Sequence, residues 1–361
     1  MQEESTAVAA TAAVADEFPR TIAHRAEFHG KTGEYFGIWF VNLLLGIATL
    51  GIWSAWAKVR TQRYFYGNTR LAGASFEYLA SPIAILKGRL IAYAFVAAMV
   101  LSAKFMPLLY VALALVLAFS IPALLTWTLR FRARNSAWRG LAFHFDRRVG
   151  EAYPPYLFWG WLVALSASLL YPVMKQRQHA FLVEGHRYGT ARFAYAGDIG
   201  DYYKPYGFAA LGGLVLFVAY VAGIVATIAG SAETKPGTMP TAMYVLLAVF
   251  YLGFFAIGAF LRTRYSNLMW NSASLGAHRF RSTLRARDVL WLYAGNIVAI
   301  LCSVGLAVPW ARIRLAKYRA EHFELLAAGD IDGFVADQER QHGARSAELV
   351  DALDLGMDIG L

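Results

Sequence analysis

Apolar residues run in seven blocks, near residues 35–55, 83–103, 107–128, 155–173, 206–229, 241–261 and 289–309, separated by polar stretches rich in Lys and Arg. Each block is long enough to cross a hydrocarbon core of ~30 Å, which takes about 20 helical residues. The pattern predicts a chain solvated by a bilayer. Stretches 56–82, 129–153, 175–205 and 262–288 hold four, six, five and six Lys/Arg, whereas 104–106 and 230–240 hold one each, Lys104 and Lys235. Cytoplasmic loops carry the Lys/Arg excess. Blocks two and three therefore read as one spanning hairpin and blocks five and six as another, while blocks one, four and seven are basic at both ends.

The chain also repeats itself. A shift of 117 residues carries Phe28, Glu34, Lys58, Arg60, Arg70 and Tyr78 onto Phe145, Glu151, Lys175, Arg177, Arg187 and Tyr195. A shift of 254 carries Asn42, Gly51, Trp56, Arg60 and Tyr64 onto Asn296, Gly305, Trp310, Arg314 and Tyr318. A fixed period predicts one supersecondary unit built several times: repeat one over 27–144, repeat two over 145–277 and a partial third over 278–328, between an N-terminal tail (1–26) and an acidic C-terminal tail (329–361), both expected to be mobile. Loop charges match between copies without inversion, so each copy should hold an even number of crossings. The first block of each copy is then predicted to enter the membrane and return. Thr49, Ser166 and Ser303 share one repeat column, with Gly51, Ser168 and Gly305 two places on; a hydroxyl beside a small residue is a helix-break and capping signature. The spacing of Glu34 to Lys58, Glu151 to Lys175 and Asp288 to Arg312, 24 residues each, fits a straight helix as well, with charges complementing its dipole.

Short strands are expected at Arg70–Tyr78, Arg187–Tyr195, Ala26–His29, Leu141–Phe145 and Ala277–Arg281, where small turn residues flank alternating side chains. The resulting fold class is an all-α multi-pass membrane protein with short cytoplasmic β-elements, four crossing segments and three that re-enter.

Composition changes the picture in two places. Only 16% of residues are charged at a mean hydropathy of +0.42, which reinforces the membrane reading against the roughly 25% of soluble domains. Of the 24 acidic residues, 10 follow residue 320, so the body is more basic than the net charge of +10 suggests. Lys and Arg beside Trp and Tyr at block ends point to anionic lipid headgroups rather than nucleic acid. Lys58, Arg60, Arg63, Lys175, Arg177, Arg312 and Arg314, with Trp56 and Trp310, are the candidate headgroup residues, and interfacial anchoring explains the same pattern. The acidic tail is a candidate contact for a protein partner. The single cysteine, Cys302, excludes a disulfide framework, and residues 1–26 show no apolar signal-peptide core.

Catalytic chemistry has no visible anchor. Gly30-Lys31-Thr32 matches the end of a phosphate-binding loop, but Arg25 stands where that loop needs glycine. His24 with His29, and His179 with His186, lack zinc-site spacing. No catalytic residue, cofactor or metal is expected. Asn42 and Asn296 are carboxamides at membrane depth that either join helices or line a polar path. Glu34, Glu151 and Asp288 open their blocks as interfacial caps or as a charged ring at the mouth of a pathway.

Phe28-His29-Gly30-Lys31-Thr32-Gly33-Glu34-Tyr35-Phe36, Thr49-Leu50-Gly51-Ile52-Trp53-Ser54-Ala55-Trp56-Ala57-Lys58-Val59-Arg60, Arg63-Tyr64-Phe65-Tyr66-Gly67-Asn68-Thr69 and Gly333-Phe334-Val335-Ala336-Asp337-Gln338 closely resemble the YjgN-like family of bacterial inner-membrane proteins, over nearly the whole chain. The resemblance implies a multi-pass inner-membrane protein, here with cytoplasmic termini, whose family activity is unassigned; it carries over no catalytic residue. Three functions stay open: passage of a small solute or lipid through the repeat interface, favoured by a path through the protein; a membrane scaffold for anionic lipids or protein partners, favoured by a solid core; and an intramembrane enzyme, favoured by converging His and carboxylate groups.

With Cys302 replaced by Ala, cysteines introduced at Tyr66, Trp138, Thr190 or Leu275 should resist an impermeant thiol reagent applied from the periplasm, and Lys235→Cys should react. Labelling of any of the first four from outside would reject the charge rule for this chain.

Overall fold

The computed structural model describes residues 21–230 and 240–341; the expectations placed on residues 1–20, on the loop of Lys235 and on residues 342–361 lie outside them. Strands β1 (Thr21–Arg25) and β2 (Glu27–Phe28) lead into helices α1 (Thr32–Ala48) and α2 (Ser54–Gly67), then β3 (Thr69–Leu71) and β4 (Ala74–Tyr78). The alternation continues with α3 (Pro82–Phe105) and α4 (Pro107–Arg134), then β5 (Ser136–Trp138) and β6 (Leu141–Phe145). A 3-10 turn (Val149–Ala152) and a π-helical turn (Pro154–Phe158) precede α5 (Trp159–Leu165) and α6 (Tyr171–Gly185), followed by β7 (His186–Tyr188) and β8 (Ala191–Tyr195). Next come α7 (Ile199–Gly230), α8 (Thr241–Asn271), β9 (Ala273–Leu275), β10 (His278–Ser282), α9 (Ala286–Cys302), α10 (Val308–Glu321) and β11 (Phe323–Ala328). A last helix, α11, covers residues 331–341.

The strands are not separate. They form one antiparallel sheet in the order β1-β11-β10-β9-β8-β7-β6-β5-β4-β3-β2, and its two edge strands are joined in the chain by Ala26 alone. Residues Thr21–Arg25 pair with Ala328 to Glu324, and after Ala26 the same segment turns to pair Glu27 with Arg70 and Phe28 with Thr69. The Ala26 N–H donates to the Phe323 carbonyl (2.9 Å), so the ladder holds up to the switch. An all-α protein with short β-elements is therefore the wrong description: the β-elements make a nearly closed eleven-strand barrel. Its closing pairs lie some three hundred residues apart, where no local pattern announces them. β1 also takes up residues assigned to the N-terminal tail, and α11 residues assigned to the acidic tail.

Every helix pair leaves this barrel and returns to it. The four basic stretches all contain barrel hairpins, so they share one side of the molecule. α3, α4, α7 and α8 are long and apolar enough to cross a membrane by length and composition. Pro107 separates the first two: it opens α4 directly after Met106, where its missing N–H costs nothing.

The other three blocks are broken at the hydroxyl column, and the break has the same chemistry each time. The N–H groups of Leu50, Ala167 and Val304 reach the carbonyls of Ile47, Ala164 and Leu301 (3.2, 3.3 and 3.2 Å), and those of Gly51, Ser168 and Gly305 reach Gly46, Val163 and Ile300 (2.8 Å each). This is the Schellman pairing that ends a helix. The hydroxyls then accept the N–H of the residue that precedes the second helix: Trp53 N–H donates to Thr49 Oγ1 (2.9 Å), Leu170 N–H to Ser166 Oγ (3.2 Å) and Ala307 N–H to Ser303 Oγ (2.8 Å). Backbone donors are thus satisfied within the turn, and its tips are apolar, with Leu50 95% and Val304 93% exposed.

Those tips adopt left-handed φ values, 49° at Leu50 and 52° at Val304, which strain a side chain bearing Cβ by roughly 1–2 kcal/mol. Val304→Gly should raise the unfolding midpoint in detergent. Thr49→Val, which orphans the Trp53 N–H, should lower stability by about 1–3 kcal/mol. An unchanged midpoint for Thr49→Val would show that water, not the hydroxyl, satisfies the turn.

Candidate functional site

Alternation along the strands decides what faces the barrel interior. In β10, His278, Phe280 and Ser282 are buried while Arg279 and Arg281 are exposed; in β4, Ala74 and Phe76 pack on the barrel core while Ser75 and Glu77 point out, and Tyr78 packs with Val59 and Ala80 at the helix end. The inward set is strongly aromatic. Trp138 packs between Phe76 (6.3 Å between ring centroids) and Tyr188 (5.7 Å), and Phe280 among Phe193, Trp270 and Phe323 (5.8, 5.8 and 6.0 Å). These rings leave a cavity of about 690 Å³.

α11 closes one end. Ile331, Val335 and Gln338 are buried, one stripe at helical spacing. The Gln338 Oε1 accepts the Thr190 N–H (2.9 Å), the Thr190 hydroxyl (2.7 Å) and the Ala191 N–H (2.8 Å) from the β7–β8 turn. Arg139, in the β5–β6 turn, pairs with Asp332 and donates to the Ala72 carbonyl (2.8 Å) in the β3–β4 turn. Asp330 caps the helix through the N–H groups of Asp332 and Gly333 (2.9 Å each). The helix therefore sits among the hairpin turns like a stopper. At the other end the lining passes to Arg262, Thr263 and Ser266 of α8, Tyr293 of α9 and Arg319 of α10. Arg319 reaches the Tyr293 hydroxyl at 3.5 Å, and no carboxylate pairs with Arg262 or Arg319 among the described residues. The result is an apolar chamber with a cationic entrance on the helical side. Trp138 adds a buried indole N–H without a hydrogen-bond partner.

The residues singled out from the sequence lie elsewhere. Asn42 Oδ1 accepts from Trp53 Nε1 (3.2 Å) and Arg60 (3.3 Å), tying α1 to α2; Asn296 Nδ2 donates to the Ala311 carbonyl (3.4 Å), tying α9 to α10. Both are buried, and Asn42 Nδ2 and Asn296 Oδ1 keep no partner. Glu34 accepts from the Tyr64 hydroxyl (3.2 Å) and faces Lys31 at 3.7 Å. Glu151 caps its 3-10 turn by accepting the Arg148 N–H (3.0 Å) and pairs with Arg147 (2.7 Å), and these donors hold its carboxyl below the usual carboxylate range. Asp288 lies 3.5 Å from Arg287. Each acid is thus held by neighbours in its own unit. Trp56 stacks on Trp53 (5.6 Å), Arg312 donates to the Tyr35 hydroxyl (2.5 Å), Arg314 lies over the Trp310 ring (5.2 Å), and Lys175 donates to Gln178 (3.1 Å). Arg63 and Arg177 are exposed. Sequence reasoning missed the chamber because its aromatics come from many short strands; the available signal was the inward alternation at Phe76, Phe193 and Phe280.

Four helices long and apolar enough to cross a bilayer, rooted in one barrel with a chamber inside it, define a membrane-protein class with a barrel domain. The chain belongs to the family described as "Bacterial protein of unknown function (DUF898)", whose model matches residues 23–352. It is similar to the inner membrane protein YjgN of Salmonella typhimurium strain LT2, 24% identical over 355 residues, covering 86% of this chain and 89% of that protein. YjgN of Escherichia coli O157:H7 is likewise 24% identical over 360 residues, covering 86% and 90%. No solved structure matches the chain. This is an inner-membrane protein of the YjgN family.

His278 links the chamber wall to the stopper: its Nδ1 accepts the Ala328 N–H (3.2 Å) and its ring packs edge-on against Phe334 (4.6 Å). Burial holds its pKa below the ordinary imidazole value of about 6.5. The unfolded chain therefore binds the proton first, and the stability from neutral His278 is lost as pH falls below about 6.5. Unfolding midpoints should drop between pH 7 and 5, and His278→Gln should flatten part of that slope. An identical slope in the variant would assign the pH dependence to other groups.

Proposed function

We propose that the barrel receives the apolar chain of an anionic amphiphile taken from the cytoplasmic leaflet, and that the protein binds or passes lipid-like cargo there rather than a small polar solute. The observation that carries this reading is the chamber of about 690 Å³ with an aromatic wall, opening toward α8, α9 and α10 beside Arg262 and Arg319. Ligand sites are typically apolar hollows of this size with a few placed polar groups, and two cations without carboxylate partners suit an anionic headgroup at the entrance. A scaffold would be better served by a solid core. The same reading takes four helices across the membrane, the barrel and both termini on the cytoplasmic side where the Lys/Arg excess belongs, and the recurring helix pair with β-hairpin as one repeated unit.

The test uses the full chain in phosphatidylcholine nanodiscs doped with phosphatidylglycerol brominated along its acyl chains. Trp138 and Trp270 lie in the barrel, so a chain quenches them only by entering it. Removing both by Trp→Phe should reduce the quenchable fraction of the fluorescence. Quenching that is unchanged in the double variant would reject entry of the chain into the barrel.

A further inference from the structure

Three cations converge where α2, α3 and α4 meet the barrel, and none has an acid. Arg89 of α3 donates to the Ser54 hydroxyl at the start of α2, one turn before Lys58. Around them, Val59, Tyr78 and Ala80 form an apolar cluster with Ile85 and Phe131. Lys58 is next to Val59, Arg89 is one turn beyond Ile85, and Arg132 is next to Phe131. The cluster therefore fixes the backbones that carry the three charges. The shared cluster and the Arg89–Ser54 contact bring the three helices together here, and burial, then Arg132, then Arg89 push the Lys58 ammonium below its ordinary pKa. Among the described residues no Asp or Glu pairs with Lys58, Arg89 or Arg132. Mutual repulsion at a low-dielectric boundary is unfavourable unless an anion relieves it.

The matching contact in the second set of helices shows that packing does not need these charges. Tyr206 lies seven residues after Ile199 at the start of α7, as Arg89 lies seven after Pro82 at the start of α3. Where Arg89 meets Ser54, Tyr206 meets Tyr171, with ring centroids 6.0 Å apart. Relative to the following hairpins, β5–β6 and β9–β10, Arg132 corresponds to Met269. Only the lysine, Lys175, is kept, and it lies over the Tyr171 ring (5.6 Å). One set of helices closes this junction with a tyrosine pair and turns the position of Arg132 into a methionine that packs on the barrel core; the other installs cations there.

We infer that Lys58, Arg89 and Arg132 form a binding site for a phosphate group at the boundary between the helices and the barrel, with Ser54 orienting Arg89. The chemistry is that of a phosphate mono- or diester held by two guanidiniums and one ammonium, geometry in which arginine provides paired donors. Arg89 sits two turns into an apolar helix, a depth that a phospholipid headgroup reaches and at which an unpaired charge is costly. The site is separate from the barrel chamber, so it stands or falls independently of chain entry.

The test is native mass spectrometry and thermal unfolding of the full-length protein, with phosphatidylglycerol, phosphatidylcholine or inorganic phosphate added. Wild type should retain phosphatidylglycerol and be stabilised by it more than by phosphatidylcholine. The variant Ser54→Tyr/Arg89→Tyr/Arg132→Met, which copies the second junction, should lose one phosphatidylglycerol site, its retention weakened about ten-fold or more, and leave any binding at Arg262 and Arg319 in place. Equal stabilisation of wild type by millimolar inorganic phosphate, lost in the variant, would assign the site to a free anion; dependence on the lipid alone assigns it to a headgroup. If the triple variant does not fold, Arg132→Met, which changes one exposed side chain, should still weaken retention. Retention of phosphatidylglycerol equal to wild type in a folded variant, or no preference over phosphatidylcholine in wild type, overturns the proposal.

Discussion

The structure hinges on a change of partner at Ala26. Residues on its N-terminal side complete the sheet against β11, and residues on its C-terminal side complete it against β3. An open sheet of this size would present two edges of unpaired backbone groups, a template for pairing with other chains. Here one continuous segment serves both edges. Because the first strand and the last meet, every intervening helix pair has to begin and end at the same ring.

That constraint governs the membrane part. A helical excursion that must return to its side of the molecule either crosses and recrosses, as a pair of long helices can, or turns back early. An early turn leaves backbone polar groups without helical partners, and each costs free energy unless paired. The turns at Thr49, Ser166 and Ser303 meet this demand with a Schellman pairing and a hydroxyl acceptor. They accept a left-handed residue that is not glycine in return, which keeps the exposed tip apolar.

Inside the ring, the same alternation that solvates Arg279 and Arg281 turns Phe280 and its neighbours inward. Large rings from strands of only two to six residues do not fill the space, and the chamber is what remains. α11 then matters more than its length suggests. Gln338 satisfies three donors of one hairpin turn at once, and Arg139 joins two further turns to the stopper. The chamber is thereby closed away from the helices and open toward them, which gives the arginines at its entrance their significance.

The sequence by itself determined the solvent, the positions of the breaks and most of the strands, because these depend on local chemistry: runs of apolar residues, a hydroxyl beside a small residue, alternating side chains around a turn. Thr49, Ser166, Ser303 and the strand at Leu141–Phe145 were legible for that reason. The stripe Ile331, Val335 and Gln338 was not, since one short stripe in an acidic stretch acquires meaning only against the turns it fills. Asn42 and Asn296 stood out as carboxamides within apolar blocks, but whether each joins its own helix pair or faces a path depended on where the second helix of the pair lay. Only the tertiary structure decided that separate hairpins form a barrel, that the barrel is hollow, and that α2, α3 and α4 meet at one apolar cluster. Strand pairing across the whole chain and convergence of three helices depend on distances in space, and those are not encoded in the spacing of any one segment.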